Sequence, residues 1–261
     1  MKKIDVNFLE PSHQQLNNLI EYYQARRYDD AEKLSLSITQ EFPKYQFAWK
    51  VLAAVLKQNG KINKSLVASQ KSVELGPLDV EAHNNLGITL KDLGRLEEAE
   101  ASYRHAIKLK PDLAQAHNNL GITLKDLGRL EEAEASYRQA IKLKPDLTKA
   151  HNNLGNALKD LGRLEEAEAS YRQAIKLKPD YAEAHYNLSN NLSYMNDLEK
   201  EINALKSLLK LDVDKFGLKA GVNLAICNFL EGDFVESKKQ VLAAKKNKKK
   251  TLYKFKTEKI Y

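Results

Sequence analysis

Four histidines, His83, His117, His151 and His185, recur at intervals of 34 residues. Imidazole is both a common metal ligand and a general base near neutral pH. A metal, however, needs its ligands to converge within a few ångströms. Equivalent places in stacked helical units stand roughly 10 Å or more apart. Each of these histidines also lies on an apolar stripe, so packing is the expected role. Glu97, Glu98 and Glu100 form an acidic cluster that is copied in the same register. Paired carboxylates do acid–base chemistry only in a pocket that shifts their pKa values. These open a helix instead, where its dipole favours negative charge. Arg104 follows Glu100 by four residues, the spacing of a helical ion pair. Cys227, the one cysteine, lies in an apolar helical stretch and is expected in the core. No phosphate-cradling loop, metal-ligand spacing or nucleophile set is found. No cofactor, metal or enzymatic activity is therefore expected.

Asparagine is the recurring residue that suits recognition. Asn85, Asn119, Asn153, Asn187 and Asn223 occupy one place in five successive units, and Asn17 occupies it in the first. Val51 interrupts the series in the second. An amide side chain offers a donor and an acceptor, as a peptide unit does. A row of such amides could hold an extended chain by its backbone. The alternative is a solvated helix surface copied by recent duplication. Asn is a mediocre helix former, so its recurrence needs a reason. On the same face stand Ile88, Ile122, Asn156, Asn190 and Tyr194. In the second unit the neighbouring places hold Phe47, Val51 and Ala54, an apolar patch. That patch either takes a partner's side chain or packs against an adjacent helix or the chain's own N-terminal segment.

These residues are placed by a 34-residue repeat. Val80 to Leu113 differs from Ala114 to Leu147 at three places, and that copy differs from Thr148 to Tyr181 at five. Extending the frame divides the chain into 12–45, 46–79, 80–113, 114–147, 148–181, 182–215 and 218–251. Phe216 and Gly217 stand as an insertion. Residues 1–11 form an N-terminal segment and 252–261 a tail rich in Lys and aromatics. Within a unit, His83, Leu86, Gly87 and Leu90 fall at i, i+3, i+4 and i+7, the stripe of an amphipathic helix. Gly94 allows a turn. A second stripe runs through Leu96, Ala99, Tyr103, Ala106 and Ile107, and Pro111 keeps that helix from running on. Neither helix buries its stripe alone, so each unit needs neighbours.

The pattern His83, Leu86, Gly87, Leu90, Ala99, Tyr103, Ala106, Pro111 resembles the tetratricopeptide repeat. His stands for its usual Trp and Leu90 for its usual Tyr. The resemblance implies an all-α, right-handed solenoid of about seven helix–turn–helix units whose first helices line a concave groove. The asparagine row is similar to the ladder in the repeat domain of O-GlcNAc transferases, where Asn also precedes Leu-Gly. Asn85, Asn119 and Asn153 match that context; Asn187 and Asn223 precede Leu-Ser and Leu-Ala.

The expected function is a scaffold that binds other proteins or extended peptides. An alternative is the substrate-recognition arm of a separate glycosyltransferase- or sulfotransferase-type enzyme, since similar repeats accompany such domains in bacterial proteins. A weaker one rests on charge. The 261 residues sum to +7, yet Lys238 to Tyr261 holds ten Lys and one Glu, so the rest of the chain is slightly acidic. Lys245, Lys246 and Lys248 to Lys250 precede Tyr253, Phe255 and Tyr261. Such a run binds nucleic acid or an anionic surface, or serves as a solubilising cap. The cap is the preferred reading, so nucleic acid is not expected as a partner. Apolar runs are too short for a membrane span, and a lone cysteine forms no internal disulfide. A cytoplasmic protein is expected, with self-association through solenoid ends as a further possibility.

Overall fold

The structure is a computed structural model that describes residues 10–211, 214–233, 236–237 and 239–240. The described part is all-helical, and the six full repeats give six helix pairs. These are α1 (His13–Gln24) and α2 (Tyr28–Glu41), α3 (Gln46–Gln58) and α4 (Ile62–Leu75), and α5 (Val80–Asp92) and α6 (Leu96–Leu109). Then follow α7 (Ala114–Asp126) and α8 (Leu130–Leu143), α9 (Thr148–Asp160) and α10 (Leu164–Leu177), and α11 (Ala182–Tyr194) and α12 (Leu198–Lys210). Helix α13 (Asp214–Leu230) is 17 residues long, and both Phe216 and Gly217 lie within it. The Lys-rich run and aromatics from Lys245 to Tyr261 lie outside the described residues.

Three local devices repeat along the chain. The first is the turn inside each pair. Gly60, Gly94, Gly128 and Gly162 adopt φ of 72° to 77° there, in the left-handed region that glycine enters without steric cost. Arg26 and Asn196 hold the same place with φ 59° and 56°. The second is close approach. A Cβ on Gly87 would lie 2.7 Å from the Tyr103 ring, and one on Gly155 2.6 Å from the Tyr171 ring. Glycine thus lets the buried tyrosine of the second helix lie on the first helix's backbone.

The third device explains the histidines. Trp49 Nε1 donates to the Pro43 carbonyl at 2.9 Å. His83, His117, His151 and His185 place Nε2 2.9 Å from the carbonyls of Pro77, Pro111, Pro145 and Pro179. A carbonyl only accepts, so Nε2 carries the hydrogen in each case. Each ring fastens its first helix to the turn that precedes the repeat. The proline that stops one repeat and the histidine that opens the next are halves of one contact.

The described residues form two compact units, divided between Gly128 and Arg129. Within each, helices pack on their sequence neighbours, as one-dimensional stacking requires. First helices also touch first helices: α3 with α5 and α5 with α7 in the first unit, α9 with α11 and α11 with α13 in the second. Leu19, Ile38, Phe42 and Val55 anchor the start of the first unit's core. Leu205, Leu208, Leu224 and Cys227 anchor the end of the second unit's core.

Candidate functional site

In the first unit, α1, α3 and α5 line a cleft of about 620 Å³. Phe47, Val51 and Ala54 from α3 meet Asn85 and Ile88 from α5, with Ile20 and Tyr23 from α1 closing the set. The apolar patch of the second repeat is therefore a wall of a cleft. Ile20 and Tyr23 were not singled out by the sequence, because α1 has diverged most. The repeat frame carried the signal, for Ile20 holds the place of Ile88 and Ile122. Both side chains remain over one-third exposed, which leaves apolar surface open to a partner.

One edge of the cleft is charged. Lys50 Nζ lies 2.7 Å from Glu81 and 3.1 Å from Asp79. Burial pulls this lysine down, but the two carboxylates outweigh it and hold its pKa above the usual range. Asp79 also accepts from Gln46 Nε2 at 2.8 Å and caps α5 through the Ala82 amide at 3.0 Å. Burial raises its pKa and these donors lower it, with a net depression. The following repeats read Pro-Asp-Leu or Pro-Asp-Tyr where this one reads Pro-Leu-Asp. That exchange turns Asp79 inward and leaves Leu78 77% exposed.

The asparagines fall into two situations. Asn85 lines the open cleft. Asn119 is buried; its Nδ2 donates to Asn84 Oδ1 at 3.2 Å and its Oδ1 accepts from Gln115. In the second unit Asn187 Nδ2 donates in the same way to Asn152 Oδ1 at 3.0 Å. These amides join one first helix to the next, and part of their hydrogen-bonding capacity is spent there. Asn85 escapes this because the preceding repeat has Lys50 where the others have Asn84, Asn118 and Asn152. Asn153 and Asn223 are half-buried on α9 and α13. Asn156 Oδ1 accepts from the buried Tyr171 hydroxyl at 2.8 Å. Ile122 and Asn190 are half-buried. Tyr194 is 69% exposed, with Lys159 Nζ 5.7 Å from its ring centre.

The other candidate groups sit as packing and ion pairs. His83, His151 and His185 are buried. Arg104 and Glu100 pair at 2.8 Å. Among the described residues, no three of His, Cys, Asp and Glu converge as a metal site. No described helix is long and apolar enough to cross a membrane.

A first-helix face with a cleft, on stacked helix pairs of 34-residue period, defines a class. Family models described as tetratricopeptide repeat match residues 79–146, 136–169 and 182–214, and one described as TPR repeat matches 155–190. Together they run without a gap over just more than half of the sequence. The chain is a tetratricopeptide-repeat protein.

Solved structures share this fold. PilW, a widely conserved type IV pilus biogenesis factor, superposes with a TM-score of 0.71 at 19% identity, covering 77% of this chain and 94% of that one. PilF of Pseudomonas aeruginosa gives 0.66 at 19% identity, covering 82% and 97%. YrrB, described as a TPR protein with an unusual peptide-binding site, gives 0.54 at 20% identity, covering 68% and 92%. At these identities the likeness shows the fold alone. No curated protein matches the sequence.

Proposed function

We propose that this protein is a scaffold that binds extended peptide segments on its first helices, with the cleft of α1, α3 and α5 as the principal contact. The observation that carries the reading is the joining of Asn85 to Phe47, Val51, Ile88, Ile20 and Tyr23 in one open cleft. Apolar walls take a side chain, and the Asn85 amide takes the peptide unit beside it. This specialises the similarity to the ladder of O-GlcNAc transferases: one amide is in the cleft, and Asn119 and Asn187 serve the scaffold as well. YrrB supports the reading as a protein of this fold with a peptide-binding site. A cytoplasmic location belongs to the same proposal, and a fold with one buried cysteine needs no oxidising compartment.

The test uses a library of short unstructured peptides and fluorescence anisotropy. Peptides that carry a large apolar residue are expected to be retained. The pair V51E/I88E is expected to weaken them at least about tenfold, equivalent to about 1.4 kcal/mol. N85A is expected to weaken peptides regardless of their side chains. Binding that withstands all three substitutions would refute the reading.

A further inference from the structure

A second cleft, of about 470 Å³, lies in the second unit between α10, α11 and α12. Arg172, Lys176, Lys200, His185, Asn203 and Ser207 supply its polar lining, and no carboxylate is among the lining residues. The equivalent place one repeat earlier is chemically different. There α8 and α10 are joined by a closed circuit of opposite charges. Arg138 reaches Glu166 at 3.2 Å and Arg163 reaches Glu134 at 2.6 Å, and the pairs Arg163–Glu166 at 2.6 Å and Arg138–Glu134 at 2.8 Å close the circuit.

In the sixth repeat the polarity of that circuit is inverted. Asp197 stands at the place of Arg163 and Lys200 at that of Glu166. Asp197 now pairs with Lys200 at 2.8 Å inside its own repeat, and Arg172 pairs with Glu168 at 2.7 Å inside α10. Among the described residues no ion pair within 4 Å joins α10 to α12, and Glu168 acts on Lys200 only from a distance: the Lys200 pKa is raised first by Asp197 and then by Glu168. The carboxylate that meets the arginine across the earlier junction is replaced by a third cation. Arg172, Lys176 and Lys200 are left on one cleft, with Glu168 and Asp197 held beside their own partners. A further change adds a donor: Asn203 stands where the three preceding repeats have Ala101, Ala135 and Ala169. Ser207 Oγ donates its one hydrogen to the Asn203 carbonyl at 2.9 Å, so the donors left to the cleft are the Asn203 amide and the three cations.

Three cations line one cleft while the carboxylates that pair with Arg172 and Lys200 stand outside its lining, and a dianion with several acceptor oxygens meets more of them than a single carboxylate does. We propose that the cleft between α10 and α12 is an oxyanion site that takes a phosphate dianion, free or carried on a peptide side chain. The site is independent of the first-unit cleft and does not need the peptide reading to hold.

The double variant D197R/K200E tests it, because it restores the arrangement of the preceding repeat at unchanged net charge. It gives up the Asp197 cap of α12, and the preceding repeats already start this helix from an arginine. K200E alone keeps that cap. The full-length protein is titrated with inorganic phosphate, and with a phosphoserine peptide and its Ser and Glu counterparts. Amide chemical shifts are followed, and circular dichroism confirms the helix content. Saturable shifts on α10 and α12 are expected, weakened about tenfold or more in both variants. The inverse swap R163D/E166K is expected to create a second site between α8 and α10. Tighter binding of the phosphopeptide than of free phosphate assigns the anion to a peptide; equal affinity assigns it to free phosphate. The proposal is overturned if phosphate leaves these helices unshifted, if the Glu peptide binds as well as the phosphoserine one, or if binding withstands D197R/K200E and so belongs elsewhere.

Discussion

The hydroxyls of Tyr103 and Tyr171 occupy one place in closely similar repeats, yet the residue that faces them differs. Asn156 accepts from the Tyr171 hydroxyl, whereas the apolar Ile88 holds that place opposite Tyr103. The Tyr103 hydroxyl is buried without a partner. Burial raises the pKa of both phenols, so both stay protonated. An unpaired buried hydroxyl costs about 1–3 kcal/mol, while a satisfied one contributes about 0.5–1.5 kcal/mol. Y103F is therefore expected to be neutral or stabilising in urea unfolding, and Y171F to destabilise by about 1 kcal/mol. The same change in the same repeat position should thus destabilise at Tyr171 and not at Tyr103. Ile88 is visible in the sequence as an exception to the polar face. Its effect on Tyr103 is not, because it depends on a ring that passes across Gly87 from another helix.

Turns and junctions decide how well each helix pair is fixed. The left-handed place after each first helix is filled by Gly in the second to fifth repeats and by Arg26 in the first. A side chain there costs about 1–2 kcal/mol against glycine. Glycine's greater freedom in the unfolded chain offsets part of this. R26G is expected to raise the stability of the first unit by about 0.5–1 kcal/mol in thermal unfolding.

The junction of α12 with α13 carries a second exception. Ala99, Ala133 and Ala167 are fully buried, and the sixth repeat puts Glu201 in their place, itself only 7% exposed. Burial raises the Glu201 pKa, and hydrogen bonds with Cys227 and Ser193 only partly reverse that. The thiol of Cys227 is pushed up to about 12, mainly by burial and then by Glu201. With a raised folded pKa, the contribution of Glu201 is complete in acid, below the ordinary carboxyl range. It is lost as pH rises through the raised value. E201A is expected to flatten this dependence and to raise the melting temperature at pH 7 while changing it least at pH 4. A stability–pH curve identical to that of the unmodified chain would contradict the assignment.

At the scale of the whole molecule, the repeat frame made most of the fold legible. Period, helix pairing, turn glycines and stop prolines all follow from one 34-residue pattern. The histidines were legible as packing residues but not as donors to Pro77, Pro111, Pro145 and Pro179, since that bond depends on how the turn six residues earlier folds back over the helix. The walls of the candidate cleft were legible in part, as the apolar places Phe47, Val51 and Ala54. The row of asparagines reads as uniform in sequence, but Asn119 and Asn187 spend amides on Asn84 and Asn152 while Asn85 faces an open cleft. That difference depends on one neighbour, Lys50, in a helix 35 residues away in register. Near-identical central repeats would give equal preferences along the face. The diverged first two repeats break that equality, with Phe47, Val51 and Ile20 lining the first unit's cleft.

The central claim is that extended peptide is held by α1, α3 and α5. Amide chemical-shift mapping of the full-length protein with a retained unstructured peptide tests it most directly. The account predicts the largest shifts at Ile20, Tyr23, Val51, Asn85 and Ile88, and their disappearance in V51E/I88E. Shifts that leave these residues unmoved and fall instead on α10 and α12 or on the Lys-rich C-terminal residues would contradict it.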